Sequence, residues 1–145
     1  MEDFLETFKE YLKSNNLKYT AERETIVQVI FETHDHFDAD QLEAILREKN
    51  SKISRATIYR TLDLLIKSKL ITQHQAGFGR KIYEHILGHR HHDHLVCLSC
   101  NSFIEFDDER IENLQNEVCR KKDFLAEHHS LKIFGYCKKC REKKK

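Results

Sequence analysis

The stretch His91-His92-Asp93-His94-Leu95-Val96-Cys97-Leu98-Ser99-Cys100 places three histidines, one carboxylate and a Cys-x-x-Cys pair in ten residues. Read as a β-strand, its successive side chains point to opposite faces. His92 and His94 then share one face, and His91 and Asp93 the other. One short strand can in this way feed two separate metal sites. Directly after it, Cys97 and Cys100 have the spacing of half a tetrahedral thiolate zinc site. The other half is Cys137-Lys138-Lys139-Cys140, close to the end of the sequence.

Working outward, the flanking segment reads as strand (residues 91–98), strand (102–106), helix (108–122) and strand (130–136). This is an α+β arrangement, and the sequence after residue 84 holds all five cysteines and seven of the ten histidines. The region before it is helical. Phe4, Leu5, Phe8, Tyr11 and Leu12 recur at helical spacing until Asn15-Asn16. Thr20 caps a second helix that turns Ile26, Val27, Ile30 and Phe31 inward. Asp38 opens a third, with Gln41 completing a capping box and Leu42, Ile45 and Leu46 buried. Ser54 caps a fourth, whose apolar stripe is Ile58, Leu62, Leu65 and Ile66. Two extended runs follow, residues 70–75 and 81–85, joined by a glycine-containing loop. Helices followed by a β-hairpin outline a winged helix-turn-helix, whose second motif helix enters the major groove. The fold class expected is α+β, with an N-terminal winged helix-turn-helix domain (1–84), a hinge (85–90) and a small α+β metal-binding dimerisation domain (91–145).

The bulk properties narrow the function. The chain has 145 residues, no proline and a formal net charge of +1, so nucleic-acid binding must rest on a local surface rather than on global charge. No apolar run approaches the roughly 18 residues of a membrane span. The acidic start, Met1-Glu2-Asp3-Phe4, lacks the basic and apolar regions of a signal peptide. A cytoplasmic location is expected, where paired cysteines favour metal over disulfides.

Three constellations carry chemistry. Cys97, Cys100, Cys137 and Cys140 supply the four thiolates of a closed, structural Zn2+ site; the alternative is four unrelated buried cysteines. Cys119 has no Cys-x-x-Cys partner and reads as a small residue on a helix. His92 and His94 require further ligands, for which Glu84, Glu105 and His36 are candidates, and such a site would bridge the two halves. His91 and Asp93 could be completed by Glu112 and His129. Imidazole and carboxylate donors suit divalent iron, manganese, cobalt or zinc. Finally, Ser54-Arg55-Ala56-Thr57-Ile58-Tyr59-Arg60 presents Tyr59 and Arg60 for bases or phosphates, and Lys18 and Arg23 could add phosphate contacts. The same residues could also form an ordinary solvated face. A metallohydrolase could be assembled from His36, His92, His94 and Glu84 only with a coordination position left open.

Arg55-Ala56-Thr57-Ile58-Tyr59-Arg60, the ten-residue stretch above, His128-His129-Ser130 and Gly135-Tyr136-Cys137-Lys138-Lys139-Cys140 occur here in one order. In these motifs the chain resembles the ferric uptake regulator family of metal-responsive bacterial repressors. The resemblance implies a homodimer, or a higher oligomer, with a winged-helix DNA-binding domain for a double-stranded DNA operator; the residues expected at that interface are Lys18, Arg23, Arg55, Thr57, Tyr59 and Arg60. It implies structural Zn2+ on the four cysteines and regulatory Fe2+, for which Mn2+, Co2+ or Zn2+ can substitute. The regulatory ligands would be His36, Glu84, His92, His94 and Glu105, and those of a third site His91, Asp93, Glu112 and His129. His34 competes with His36, and His85 and His89 lie near the same set. Peroxide-sensing members tend to carry aspartate where Glu84 and Glu105 stand, and zinc-sensing members a cysteine in the hinge site. Both differences favour an iron sensor.

Overall fold

The computed structural model describes residues 3–33, 36–76, 79–86 and 92–143. The chain divides into two compact units, Met1–His89 and Arg90–Lys145. His34, His89 and His91 lie outside the described residues.

The first unit carries α1 (Asp3–Ser14), α2 (Ala21–Glu32), α3 (Ala39–Glu48) and α4 (Arg55–Lys67), then β1 (Ile71–Gln75) and β2 (Lys81–His85). Each of α2, α3 and α4 starts where a short polar side chain accepts an otherwise orphaned backbone N–H. Thr20 accepts from Arg23 N at 3.2 Å, Asp38 from Gln41 N at 2.7 Å, and Ser54 from Thr57 N at 3.2 Å. The capping box is closed by Gln41, whose side chain accepts from Asp38 N at 2.8 Å. Helix ends are made without glycine. Asn16, Asn50 and Lys69 take positive φ, and the N–H one residue on reaches back to the last turn: Leu17 to Leu12 O at 2.8 Å, Ser51 to Leu46 O at 2.9 Å, and Leu70 to Leu65 O at 3.0 Å.

The four helices bury one core in which Phe8, Leu12, Ile26, Ile30, Leu42, Leu46, Ile58, Leu62, Leu65 and Ile71 are fully enclosed. Phe31, Ile45 and Ile66, expected inward, are half-buried at its edge, whereas Val29 is enclosed. β1 and β2 form an antiparallel hairpin with Thr72 opposite Glu84 and His74 opposite Ile82. A two-residue bridge ties the segment before α3 to it: Phe37 N donates to Tyr83 O at 3.0 Å and Tyr83 N to Phe37 O at 2.7 Å. That bridge fixes His36 and Glu84, the next residues along, as neighbours.

The second unit contains β3 (Asp93–Cys97), β4 (Phe103–Phe106), α5 (Glu109–Lys121), β5 (Lys132–Gly135) and a short α6 (Lys138–Lys143). β3 is central, antiparallel to β4 and parallel to β5. Helix α6 is an element the sequence pattern does not announce, because six largely charged residues show no apolar period. Apart from Cys97 and Cys140, Val96 is the one buried apolar side chain of this unit among the described residues. α5 buries none of its side chains, and Leu114 and Val118 stand 61% and 59% exposed. Leu95, Ile104 and Ile133 lie opposite one another on three neighbouring strands and are all exposed.

Candidate metal centres and nucleic-acid interface

The four cysteines expected to hold zinc converge in the second unit. Their sulfurs all lie within 4.8 Å of one another, and Cys100 Sγ is 3.9 Å from Cys137 Sγ. Cys97 ends β3 and Cys100 follows it, and Cys137 and Cys140 follow β5, so the parallel pairing of the strands brings the two knuckles together. The backbone N–H groups of Cys100 and Cys137 stabilise charge on Cys97, and its thiol is lowered to about 6. Cys137 N donates to Cys97 Sγ at 3.4 Å. Contact with Ser99 favours the thiolate of Cys140, but competition from Cys137, burial and the other two sulfurs push it up to about 11. Sulfurs this close resist being charged together, and a dication removes that conflict. The donor set fits Zn2+.

Asp93 heads a second group on the same unit. Its ligand atoms and those of Glu112 and His129 lie within 4.8 Å of one another. His129 Nε2 is 3.1 Å from Glu112 Oε1 and 3.9 Å from Asp93 Oδ1. Asp93 is only 1% exposed, an environment that favours a carboxylate only beside positive charge. Two carboxylates and an imidazole fit a divalent cation. His91, the fourth expected member, is outside the described residues.

The histidine and carboxylate set expected at the hinge has members on both units. In the second unit, His92 Nε2 is 3.4 Å from Glu105 Oε1, the His92 and His94 rings are 4.8 Å apart, and Glu105 stands opposite His94 in the β3–β4 register. The pleat separates this face from that of Asp93, as the alternation of the strand requires. In the first unit, His36 Nε2 is 2.9 Å from Glu84 Oε2. Burial alone raises the Glu84 carboxyl, but hydrogen bonds from His36 and His74, with their charge, outweigh it and hold the group far below the ordinary carboxylate range. Sequence reasoning missed His74, whose Nε2 lies 2.7 Å from Glu84 Oε1. The available signal was hairpin alternation, which puts His74 and Glu84 diagonally on one face. His85 closes β2, is 6% exposed and packs its ring 5.0 Å from Phe31.

Four of the six residues expected to meet nucleic acid share one groove. Lys18, Arg23, Thr57 and Arg60 line an open groove of about 410 Å3. Arg23 Nη1 donates to the carbonyl of Lys18. Tyr59 lines a second groove with Gly79 and Arg80 of the hairpin loop and Lys81 of β2. Arg55 is drawn towards Asp40 and sits 3.4 Å from Glu43, with its guanidinium 6.0 Å from the Tyr59 ring centre. Ala56, Arg60, Asp63 and Lys67 are exposed, as their positions away from the apolar stripe require.

A winged-helix DNA-binding unit joined to an α+β unit built around metal-ligand clusters defines a class: metal-responsive transcription regulators. Comparison with known proteins places the chain within it. The Ferric uptake regulator family profile matches residues 14–134. The chain is 35% identical to the Ferric uptake regulation protein of Helicobacter pylori, over 98% of this chain and 94% of that one. It is 37% identical to that of Escherichia coli, over 90% of each. Among solved structures, the H. pylori regulator, which has three functional metal-binding sites, superposes with a TM-score of 0.87 at 35% identity, covering 97% of this chain and 93% of that one. The Vibrio cholerae ferric uptake regulator superposes at 0.76 and 35% identity, over 88% and 98%. A zinc-bound manganese uptake regulator superposes at 0.66 and 31% identity, over 90% and 98%. The chain belongs to the ferric uptake regulator family. It is a metal-responsive regulator and not an enzyme. Among the described residues, no helix is long and apolar enough to cross a membrane.

Proposed function

We propose that this chain is a cytoplasmic, homodimeric, Fe(II)-responsive repressor that binds double-stranded operators of metal-homeostasis genes. The observation that carries this reading is the split donor set. His36 and Glu84 sit on the DNA-binding unit, and His92, His94 and Glu105 on the other. In this reading the two half-sets hold one Fe2+, or Mn2+, Co2+ or Zn2+ in its place. The ion supplies a cross-link between the units. His36 and Glu84 then report metal to the helix and hairpin that meet DNA, because both residues are anchored by the Phe37–Tyr83 bridge. By linkage, an arrangement that binds metal better and DNA better couples the two affinities, typically by about 5–150-fold. Zn2+ on the four cysteines has a structural role, and Asp93, Glu112 and His129, with His91, form a third site.

A second copy of the chain is the partner that the small unit requires. The exposed row Leu95, Ile104 and Ile133 forms an apolar stripe across one face of the sheet, and α5 exposes Leu114 and Val118 as well, apolar surface that an isolated soluble domain rarely leaves to water. Metal analysis of protein purified without added metal, followed by Fe(II) titration of operator binding in a gel-shift assay, tests the reading. Two zinc ions per dimer and Fe(II)-dependent binding are expected. Operator binding indifferent to every divalent metal would refute it.

A further inference from the structure

We propose that His74 is a positioning residue for the regulatory metal: it holds one oxygen of Glu84 and leaves the other as the donor. This rests on the metal reading of His36 and Glu84 given above. The Glu84 carboxylate lies between two imidazoles. His74 Nε2 is 2.7 Å from Oε1, and His36 Nε2 is 2.9 Å from Oε2. The two rings are 6.1 Å apart, so each serves its own oxygen. An ionised carboxylate only accepts hydrogen bonds, so Nε2–H of His74 donates.

The two histidines are built differently. His36 precedes the bridge to Tyr83 and meets Glu84 through a backbone link that joins segments distant in sequence. His74 comes from β1, and the register that sets Thr72 opposite Glu84 leaves His74 on the diagonal of the same face. Its side chain is 11% exposed and that of Glu84 13%, so neither bond competes freely with water. A cation accepted by His36 and Oε2 leaves the bond at Oε1 intact. His74 thereby prevents the carboxylate from swinging both oxygens toward the ion, and it orients the remaining lone pairs. Hydrogen-bonded partners of metal ligands of this kind typically govern about 10–100-fold of metal affinity.

The test uses Co(II) titration of the full-length protein with its thiolate site loaded with zinc, following ligand-field absorption, alongside thermal melts of the same samples before Co(II) is added. His74→Gln keeps an N–H at the position of Nε2, whereas His74→Asn is polar but stops short of Glu84. His74→Leu is apolar and serves if the asparagine variant fails to fold. The expected result is a loss of about 10–100-fold in Co(II) affinity for His74→Asn and His74→Leu, with affinity and spectrum restored in His74→Gln. In a Glu84→Gln background, the further change His74→Asn should cost no more affinity. Equal losses for the Gln and Asn variants would overturn the proposal, as would unchanged affinity in the Asn and Leu variants. If Glu84→Gln itself binds Co(II) as tightly as the unaltered protein, the metal reading of Glu84 falls first and takes this proposal with it. If Glu84→Gln weakens binding while His74→Asn does not, only the positioning role is refuted.

Discussion

Replacing Cys137 by serine should unfold the small unit while leaving the helical unit standing. The expectation follows from how little else holds the small unit together. Val96 is its one buried apolar side chain besides cysteine among the described residues. Burying one such side chain stabilises by about 1.5–3 kcal/mol, whereas structural zinc in small domains contributes on the order of 10–16 kcal/mol. The metal term also matches or exceeds the whole stability of a typical domain, about 5–15 kcal/mol. Loss of one of four thiolates should therefore remove most of what orders the sheet. Amide hydrogen exchange resolves this residue by residue. His94 N, bonded to Leu131 O at 3.2 Å, and Leu98 N, bonded to Gly135 O at 2.8 Å, should lose protection. Amides of α2 and α4, which rest on the large core, should keep theirs. Slow exchange at His94 and Leu98 in a zinc-free Cys137→Ser protein would refute the reasoning.

Other expectations follow from the same geometry. Arg60→Ala should weaken operator binding by about 1–3 kcal/mol if Arg60 reads a base, with metal content unchanged; equal affinity in a gel shift would move the reading role elsewhere. Ile133→Asp puts a charge in the exposed apolar row and should shift the protein from dimer to monomer in sedimentation, and an unaltered dimer would exclude that face. Glu84 titrates below its ordinary value of 4.5 when folded, so it contributes stability above that pH which is lost as pH falls through the lower folded value. The difference in unfolding free energy between metal-free protein and Glu84→Gln should thus shrink as pH falls below about 4.5; a difference that grows below that pH would contradict the assignment. His36→Ala should remove most of the metal response of operator binding, whereas His129→Ala should remove less, since it belongs to the group around Asp93. The reverse order would show that the two faces of β3 had been exchanged.

What was legible in the sequence was what is decided locally. Thr20, Asp38 and Ser54 cap helices through side chains that reach three residues along, and each was readable from its neighbours. The separation of His92 and His94 from Asp93 needs only the pleat of one strand. Val29 escaped notice because α2 is buried on more than one side, so a single apolar stripe underdescribes it. His74 escaped because its partner is ten residues away, and only the hairpin register shows that the two share a face. The acidic partners of Arg55 lie on another helix, fifteen residues back at Asp40, beyond any local pattern. Helix ends at Asn50, Lys69 and Asp123 use left-handed residues other than glycine, which composition alone does not mark.

The three ligand groups are not independent, because β3 supplies all of them. Asp93 points to one face, His94 to the other, and Cys97 ends the strand. Strand pairing fixes which face is which, and a slip of one residue would carry every side chain across the sheet. The β3–β5 pair is parallel, with Cys97 opposite Gly135, and its two ends lead directly into the two cysteine knuckles. A zinc ion held by Cys97, Cys100, Cys137 and Cys140 therefore clamps that register from one end. The imidazole and carboxylate groups then need no zinc ligand of their own to depend on zinc, since a sheet free to slip would dismantle both at once. On this argument the thiolate site would have to fill before the other groups could acquire their geometry. If the proposed sites are right, removing the zinc should therefore abolish Fe(II) responsiveness even with His36, Glu84, His92, His94 and Glu105 all intact.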